Sequence, residues 1–452
     1  MTDADRLESP SPESLGPIGW HVKSGGAGWF RSRPAAMFSG AALVTAAAVL
    51  PLFRQTGTRS WQSIWSEDGF EYSEQAIRHG GFGLLFRGYG GYVQLPPRLL
   101  AALTTAIPIQ YLSVYLAISA AIVGALLAWF IYHASDQWIA SRPVRLALAS
   151  LIVLMPVLGA ENTANITNTI WIFAAVAPWA LVSLAERPSE IVIRCVVGLL
   201  AALSSSLCFL FLPLGIGFAI FRRSRGAAIV TGAFTAGLVL QGIAMIHTRD
   251  AVPALPQSFH LFHRSASGIA DAIGLKVFGM YLVGYKGTTT PWLVHHHLLA
   301  IGGTVCILLV LVVLATGSSR NHQVLAAVFV AYALITFAAP VWNRRDVAPR
   351  YSVIPIVLLA SAIAVLVGDP IRVRGEWIAR IGRPLFIAQI AVLAVIGFSV
   401  TTYRSENPPW TDSVAFVSHS SCHRASPNKL VVITTDAYNL WPVTLTCHDI
   451  AP

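Results

Sequence analysis

Two adjacent carboxylates, Glu67 and Asp68, lie in the segment Trp65-Ser-Glu-Asp-Gly69, shortly after the first long apolar run of the chain. A carboxylate held near a membrane surface, where the dielectric constant is reduced, has a raised proton affinity and can act as a general base. It can also hold a divalent cation, which prefers oxygen ligands. The alternative is a turn or a helix cap ahead of a short interfacial helix predicted over Glu71-Tyr-Ser-Glu-Gln-Ala-Ile-Arg78.

A second group of candidates shares positive charge and a place in predicted loops: Arg344, Arg345, Arg350, Lys276 and Lys286. Guanidinium groups bind phosphate through two parallel hydrogen bonds, and the phosphate of a lipid-linked sugar lies at this depth. Both lysines belong to an amphipathic stretch that is rich in aromatic residues, so either could contact the same phosphate. The alternatives are nonspecific contact with lipid headgroups and, for the arginines, pairing with Asp346.

A third group could bind a sugar or an acceptor: Glu161, Asn165, Asn168, Tyr89, Tyr92 and Arg98. The first three fall in one predicted turn, where amides and a carboxylate suit sugar hydroxyls. Capping of the adjoining helices by the asparagines is an equally good interpretation. Asp68 and Glu161 are also candidate ligands of a divalent cation such as Mg²⁺ or Mn²⁺, the one cofactor that the sequence suggests.

The composition decides what kind of scaffold must position these residues. The 452 residues are 55% hydrophobic and 12% charged, with a mean hydropathy of +0.63. An ordinary soluble chain carries about twice that charged fraction. A secreted enzyme, a nucleic-acid binder and a disordered scaffold are therefore excluded. The net charge of +10 comes mainly from arginines in short loops, a pattern that sets orientation in a membrane.

The apolar runs predict an all-α polytopic membrane protein with about 10–12 transmembrane helices. Residues 1–34 form a disordered cytoplasmic tail and residues 35–401 the membrane domain, with outer loops at 54–110, 160–168, 247–292 and 341–350. Interfacial helices are expected in the first of these loops. The long apolar block Cys195–Phe221 has arginines on both flanks. Both ends therefore belong inside, which predicts two short helices hinged near Ser204–Ser206.

The last fifty or so residues, 402–452, are predicted to form a small extracytoplasmic cap. Cys422 and Cys447 are the two cysteines in a polar setting, and an oxidising compartment would join them. Such a bond closes a loop of about 25 residues, worth about 3 kcal/mol in the chain-entropy model. Strand character at Val431-Val-Ile-Thr-Thr435 and Val443-Thr-Leu-Thr446 completes the prediction of a stapled β cap.

This layout resembles the GT-C superfamily of membrane glycosyltransferases. The resemblance is carried by Glu67-Asp68, by the interfacial helix that follows, and by the arginines at 344–350 before Tyr351. The segment from Ser66 to Arg98 looks like that of bacterial members of this group, as do Glu161–Trp171 and the tail ending in Trp441-Pro-Val-Thr-Leu-Thr-Cys447.

The resemblance implies an enzyme that takes a sugar from a polyprenyl-phosphate donor and transfers it to an extracytoplasmic glycan, lipid or protein by inverting displacement. Asp68 or Glu67 would act as the base, and the arginines would neutralise the lipid-phosphate leaving group. The implied location is the bacterial plasma membrane, with the N-terminus cytoplasmic and the C-terminus outside. The alternatives are a transporter or flippase of lipid-linked saccharides and a non-catalytic subunit of an envelope polysaccharide assembly system. No nucleic acid is expected as a partner.

Overall fold

A computed structural model describes residues 34–154, 164–182, 184–247, 266–289, 297–344, 348–369, 376–435 and 441–450. Seven of the described helices are long and apolar enough to cross a membrane, and three shorter apolar helices accompany them. The prediction of an all-α polytopic membrane protein is confirmed, and the lipid bilayer is a partner of the chain. The predicted site residues Glu161 and Arg345 lie outside the described residues, as does the side chain of Arg344.

The described α-helices, numbered along the chain, are α1 Pro34–Val49, α2 Glu74–His79, α3 Leu95–Ala102, α4 Leu112–Ala134, α5 Arg142–Leu154, α6 Thr169–Leu181, α7 Pro188–Ala202, α8 Leu212–Arg222, α9 Arg225–His247, α10 Ala266–Ile273, α11 Met280–Thr289, α12 His297–Thr316, α13 Arg320–Arg344, α14 Val353–Gly368, α15 Glu376–Ile396, α16 Trp410–Val417 and α17 Cys447–Ile450. Two short antiparallel hairpins join β1 Gly88–Tyr89 to β2 Tyr92–Val93, and β3 Leu430–Ile433 to β4 Val443–Thr446.

The helix α14 forms the centre of the bundle. All of its 16 residues are buried, which its uniformly apolar sequence allows because neighbouring helices surround it. The helices around it leave large apolar side chains exposed, including Leu309, Val312 and Val395. On a membrane protein such residues face the hydrocarbon, so the exposed apolar surface is the lipid-facing side of the bundle.

Polar contacts close one end of the bundle. The indole of Trp138 donates to the carbonyl of Val182 (3.0 Å), and the Trp138 carbonyl lies 3.0 Å from Nε2 of His322. Asp369 accepts a hydrogen bond from the backbone N–H of Ser319 (2.7 Å). These contacts bring together the turns that follow α4, α6, α12 and α14. Residues 54–111 and the C-terminal cap form the other end, here called the cap end.

The predicted hinge between α7 and α8 is confirmed. Ser204 donates to the carbonyl of Ala201 (2.7 Å), and the side chain of Ser205 accepts from the N–H of Leu207 (3.3 Å) and caps a 3₁₀-helical turn. The backbone of Gly226, at the start of α9, lies against the carbonyl of Ala185. The paired helices therefore begin and end at the same end of the bundle, as their flanking arginines predicted.

The described part of the predicted outer loop 247–292 contains a helical run. Residues 266–289 form α10, a π-helical turn at Gly274–Gly279, and α11. Gly274 lies against Ala300, and Gly303 lies against Gly279, so this helical run is parallel to α12. The helix breaks at Gly284, whose φ of 72° and ψ of 177° only glycine adopts readily.

The C-terminal cap matches its prediction closely. The strands β3 and β4 pair over Leu430–Ile433 and Val443–Thr446, and a disulfide joins Cys422 to Cys447 with 5.3 Å between their Cα atoms. The cap packs on the first outer loop. The indole of Trp410 donates to the carbonyl of Ile109 (2.7 Å), and the Thr444 N–H donates to Glu74 (2.8 Å). The cap is therefore part of the structure that positions residues 62–76.

Candidate functional site

The carboxylate of Asp68 is buried and fully engaged. Its Oδ2 accepts from the N–H of Ile166 (2.9 Å), and its Oδ1 accepts from the N–H (2.9 Å) and the hydroxyl (2.5 Å) of Thr167. Asp68 therefore does not act as a cap of its own helix. It accepts hydrogen bonds from a distant part of the chain, the turn that precedes α6. This contact fixes the segment 54–111 to the turn before α6.

Burial raises the pKa of Asp68 to about 6, against the opposing effect of the hydrogen bonds from Thr167 and Ile166 and the charge of Arg404. Desolvation penalises the charged form of a carboxyl group, whereas hydrogen-bond donors and a guanidinium favour it. Arg404 is itself 1% exposed, and its guanidinium carbon lies 5.0 Å from the ring centre of Trp65. The C-terminal segment thus supplies a buried cation beside the acidic pair.

Glu67 is half-buried and belongs to a different environment from its neighbour. Burial raises the pKa of Tyr89 above its ordinary value, and the negative charges of Glu67 and Glu71 raise it further, whereas Arg350 lowers it. The ring of Tyr89 makes edge contacts with Phe70 (6.4 Å) and Tyr72 (6.3 Å). Glu67 and Arg350 therefore act on one tyrosine from two parts of the chain.

A buried ion pair supports these tyrosines. Nη2 of Arg98 lies 2.7 Å from Glu71, Nη1 donates to Gln75 (3.1 Å), and Nε donates to the carbonyl of Arg87 (2.8 Å). The guanidinium lies 5.4 Å from the ring centre of Tyr72. Arg98, predicted to bind a sugar or an acceptor, is therefore engaged inside the protein at 3% exposure.

The side chain of Gln94 connects Tyr72 to the hairpin of β1 and β2 through two hydrogen bonds. The hydroxyl of Tyr72 donates to the side-chain oxygen of Gln94, and the Gln94 amide donates to the carbonyl of Tyr89 (3.2 Å). Tyr92, half-buried at the far side of this hairpin, also acts electrostatically on Tyr72 and Tyr89. The predicted residues Tyr89 and Tyr92 thus share one site with Glu67.

The basic candidates are partly brought together. The turn Pro349–Ser352, which carries Arg350, packs beside the π-helical turn that carries Lys276. The Arg350 guanidinium carbon lies 5.6 Å from the ring centre of Tyr351, and that ring contacts Trp171 (5.5 Å). Lys286 follows the break at Gly284 and is exposed.

The asparagines of the second outer turn serve its local structure. Oδ1 of Asn165 accepts from the backbone N–H of Asn168 (2.9 Å), which supports the capping interpretation for Asn165. Both side chains are buried and line a small cavity of about 30 Å³ beside Gly124 and Pro51. A cavity of this size holds about one water molecule.

A metal site is not formed by the part of the chain that the structure describes. Within it, no three side chains from His, Cys, Asp and Glu lie close enough together to hold an ion. The predicted pairing of Asp68 with Glu161 cannot be assessed there, because Glu161 lies outside the described residues. Both Asp68 oxygens already accept hydrogen bonds, so a cation would have to compete with them.

The sequence did not single out Gln94, Thr167 or Arg404, or assign a role to Glu71. Their partners are distant in the sequence: 27 residues separate Glu71 from Arg98, and 99 separate Asp68 from Thr167. Contacts between residues so far apart produce no periodicity or short motif in the sequence. No protein-family model matches this chain, and no curated protein matches it.

Proposed function

We propose that the protein is a membrane glycosyltransferase that moves a sugar from a polyprenyl-phosphate donor to an extracytoplasmic glycan, lipid or protein acceptor. The observation that carries the proposal is that a half-buried carboxylate, Glu67, and the cation of Arg350 both act electrostatically on Tyr89, at one end of a membrane-spanning bundle. Sugar transfer from a lipid phosphate needs a base and a phosphate-binding cation at the membrane surface.

The base is assigned to Glu67 rather than to Asp68. Both oxygens of Asp68 already accept hydrogen bonds, and its side chain is 1% exposed, so an acceptor hydroxyl has no access to it. Glu67, the preceding residue, is only half-buried. Asp68 then positions Glu67 by holding the first outer loop against the turn before α6.

The proposed reaction is one inverting displacement. The carboxylate of Glu67 takes the proton of the acceptor hydroxyl while that oxygen forms a bond to the anomeric carbon of the sugar. The bond from the anomeric carbon to the phosphate oxygen breaks, and both bonding electrons leave with the polyprenyl phosphate. Arg350 and Lys276 stabilise the negative charge on this leaving group, because a cation near a developing anion lowers the barrier.

The orientation that we propose places the cap end outside a bacterial plasma membrane, with the N-terminus in the cytoplasm. Two observations support it. The disulfide between Cys422 and Cys447 fits an oxidising compartment, and the arginines just before α7 and at the junction of α8 and α9 lie at the opposite end. The substrate lipid would remain in the bilayer, against the apolar surface of the bundle.

The test uses the purified protein in lipid nanodiscs with a panel of polyprenyl-phosphate sugars. Release of free polyprenyl phosphate is measured, with and without a chelator. We expect Glu67→Gln to lower the rate about 100-fold or more, since the substitution removes the base and keeps the shape. The matched control is Glu74→Gln, in the same loop, whose carboxylate accepts from the Thr444 N–H and takes no part in the reaction.

Three other outcomes would reject the proposal. An unchanged rate in both Glu67→Gln and Asp68→Asn would remove the acidic pair from catalysis. Movement of a lipid-linked saccharide across the membrane without a new covalent product would indicate a transporter. The absence of release from every donor, from folded protein, would indicate a non-catalytic subunit. Loss of release on chelation would add a divalent cation to the mechanism.

A further inference from the structure

The two edges of the cap sheet differ. In β4, the N–H of Thr444 donates to Glu74 (2.8 Å) and the N–H of Thr446 donates to Asp449 (3.0 Å), so both point away from β3. Thr444 pairs with Val432 and Thr446 pairs with Leu430. In an antiparallel ladder, the two residues of a pair either bond each other or both point outward. Leu430 and Val432 therefore direct their N–H and C=O groups to the outer edge of β3.

This outer edge is open. Leu430 is 52% exposed and Val432 is 51% exposed, whereas the alternating residues Val431 and Ile433 are buried. Within the described part of the chain, no hydrogen bond from outside the strand pair reaches the backbone of Leu430 or Val432. An edge strand with free backbone groups and apolar side chains is a template for a further strand. The corresponding N–H groups of β4 are already bound by carboxylates.

Two exposed cations precede the open edge in the chain. Lys429 is next to Leu430, and Arg424 lies six residues before it, both exposed, as are His423 and His448. Asp449, which follows His448, is occupied by the N–H and the hydroxyl of Thr446, whereas Asp436 lies outside the described residues. This charge complements an acidic ligand. A strand of four residues spans about 13 Å, which is far too short to hold two whole copies of the chain together but suits a short extended peptide.

We propose that the open edge of β3 binds an extended, acidic segment of a partner protein by strand addition. The backbone of the segment pairs with Leu430 and Val432, its apolar side chains lie beside theirs, and its acidic residues approach Lys429 and Arg424. This site is separate from the proposed sugar-transfer site, and its existence does not depend on that activity.

The test uses the full-length protein in nanodiscs and fluorescein-labelled synthetic peptides, with binding followed by fluorescence anisotropy at low ionic strength. The probes are Glu-Val-Thr-Val-Thr-Glu, the same peptide with Lys at both ends, and Glu-Val-Pro-Val-Pro-Glu, which cannot pair as a strand. We expect the first peptide to bind about tenfold or more tightly than either of the others. Raising the salt concentration should reduce this difference between the acidic and basic probes.

Three variants locate the bound peptide. Val432→Pro removes an outward N–H without removing a bond to β4, so it should weaken binding about tenfold. Val432→Thr is its control, since it keeps the N–H and the strand shape. Lys429→Glu replaces an exposed side chain, whose Nζ donates to the carbonyl of Ser421 (2.9 Å), and should reverse the preference between the acidic and basic peptides. The thermal unfolding midpoint and the intact disulfide report that each variant is folded.

Several results would overturn the proposal. The acidic and basic peptides could bind equally well. Val432→Pro and Lys429→Glu could both leave the binding of the acidic peptide unchanged. The acidic peptide could also fail to bind at about 1 mM. A dimer of the chain that dissociates in Val432→Pro would show that a second copy, and not a separate partner, occupies the edge.

Discussion

At the scale of single residues, Glu67 and Asp68 show how neighbours in sequence reach different environments. Asp68 is enclosed and accepts three hydrogen bonds from residues 166 and 167, whereas Glu67 remains half-exposed beside the tyrosines. The sequence identified the pair but could not separate the two roles. Only the position of the second outer turn decides which carboxylate is reachable.

The raised pKa of Asp68 predicts a pH dependence of stability. The folded chain holds a proton on this group from about pH 6 downward, and the unfolded chain only from about pH 3.8. The contribution of Asp68 to the unfolding free energy therefore rises as the pH falls from about 6 to 4, by up to about 3 kcal/mol. Thermal unfolding midpoints in detergent, measured between pH 4 and 7.5, would show this change in stability.

Asp68→Asn supplies the comparison, because an amide does not titrate. The difference between the wild-type and variant midpoints should change across this pH range in the direction given above, whatever the other groups contribute. Parallel curves for the two proteins would show that Asp68 is not a buried, titrating carboxyl group.

At the scale of elements, the helical run 266–289 is the largest departure from the predicted topology. Its polar and aromatic residues suggested an outer loop, but Phe278 and Tyr281 are buried and its glycines pack against α12. Small residues at such contacts let helix backbones approach closely, which hydropathy averaged over a window does not register. The helix breaks only at Gly284 among its described residues.

Gly284→Ala should destabilise the protein. The φ of 72° and ψ of 177° at this position fall in a region that is almost exclusive to glycine, so an added Cβ costs about 1–3 kcal/mol. The measurement is the thermal unfolding midpoint in detergent. Gly302→Ala is the matched control, since Gly302 lies inside α12 with open space around its Cβ position, and we expect it to be neutral or slightly stabilising. Equal midpoints for the two variants would contradict the proposed helix break.

At the scale of the whole molecule, the cap and the membrane bundle form one continuous structure. Ile64, Tyr72 and Ile166 of the outer loops share a hydrophobic core with Ile433 and Leu445 of the cap. The Arg404 guanidinium adds a buried charge near Asp68. The cap therefore packs against the segments that carry the candidate site. The sequence alone had not assigned a role to the cap.

Removal of the disulfide should weaken this support. The double variant Cys422→Ser, Cys447→Ser opens a link between residues 25 apart, which costs about 3 kcal/mol in the chain-entropy model. We expect a lower unfolding midpoint and a lower rate of polyprenyl-phosphate release in the assay described above. The control is Cys306→Ser, a free and exposed cysteine on α12, which should leave both values unchanged. An unaltered midpoint in the double variant would mean that the cap holds together without its disulfide.

The sequence by itself determined the membrane class, the hinge between α7 and α8, the strands of the cap and its disulfide. These features depend on local composition, on the length of apolar runs and on where charges fall, all of which a sequence displays directly. The tertiary structure alone decided the burial of Asp68, the Glu71–Arg98 pair, the parallel packing of the broken helix and the open edge of β3. Each of these depends on which segments meet across the fold, and the burial and hydrogen bonds that result are properties of the contact rather than of either segment.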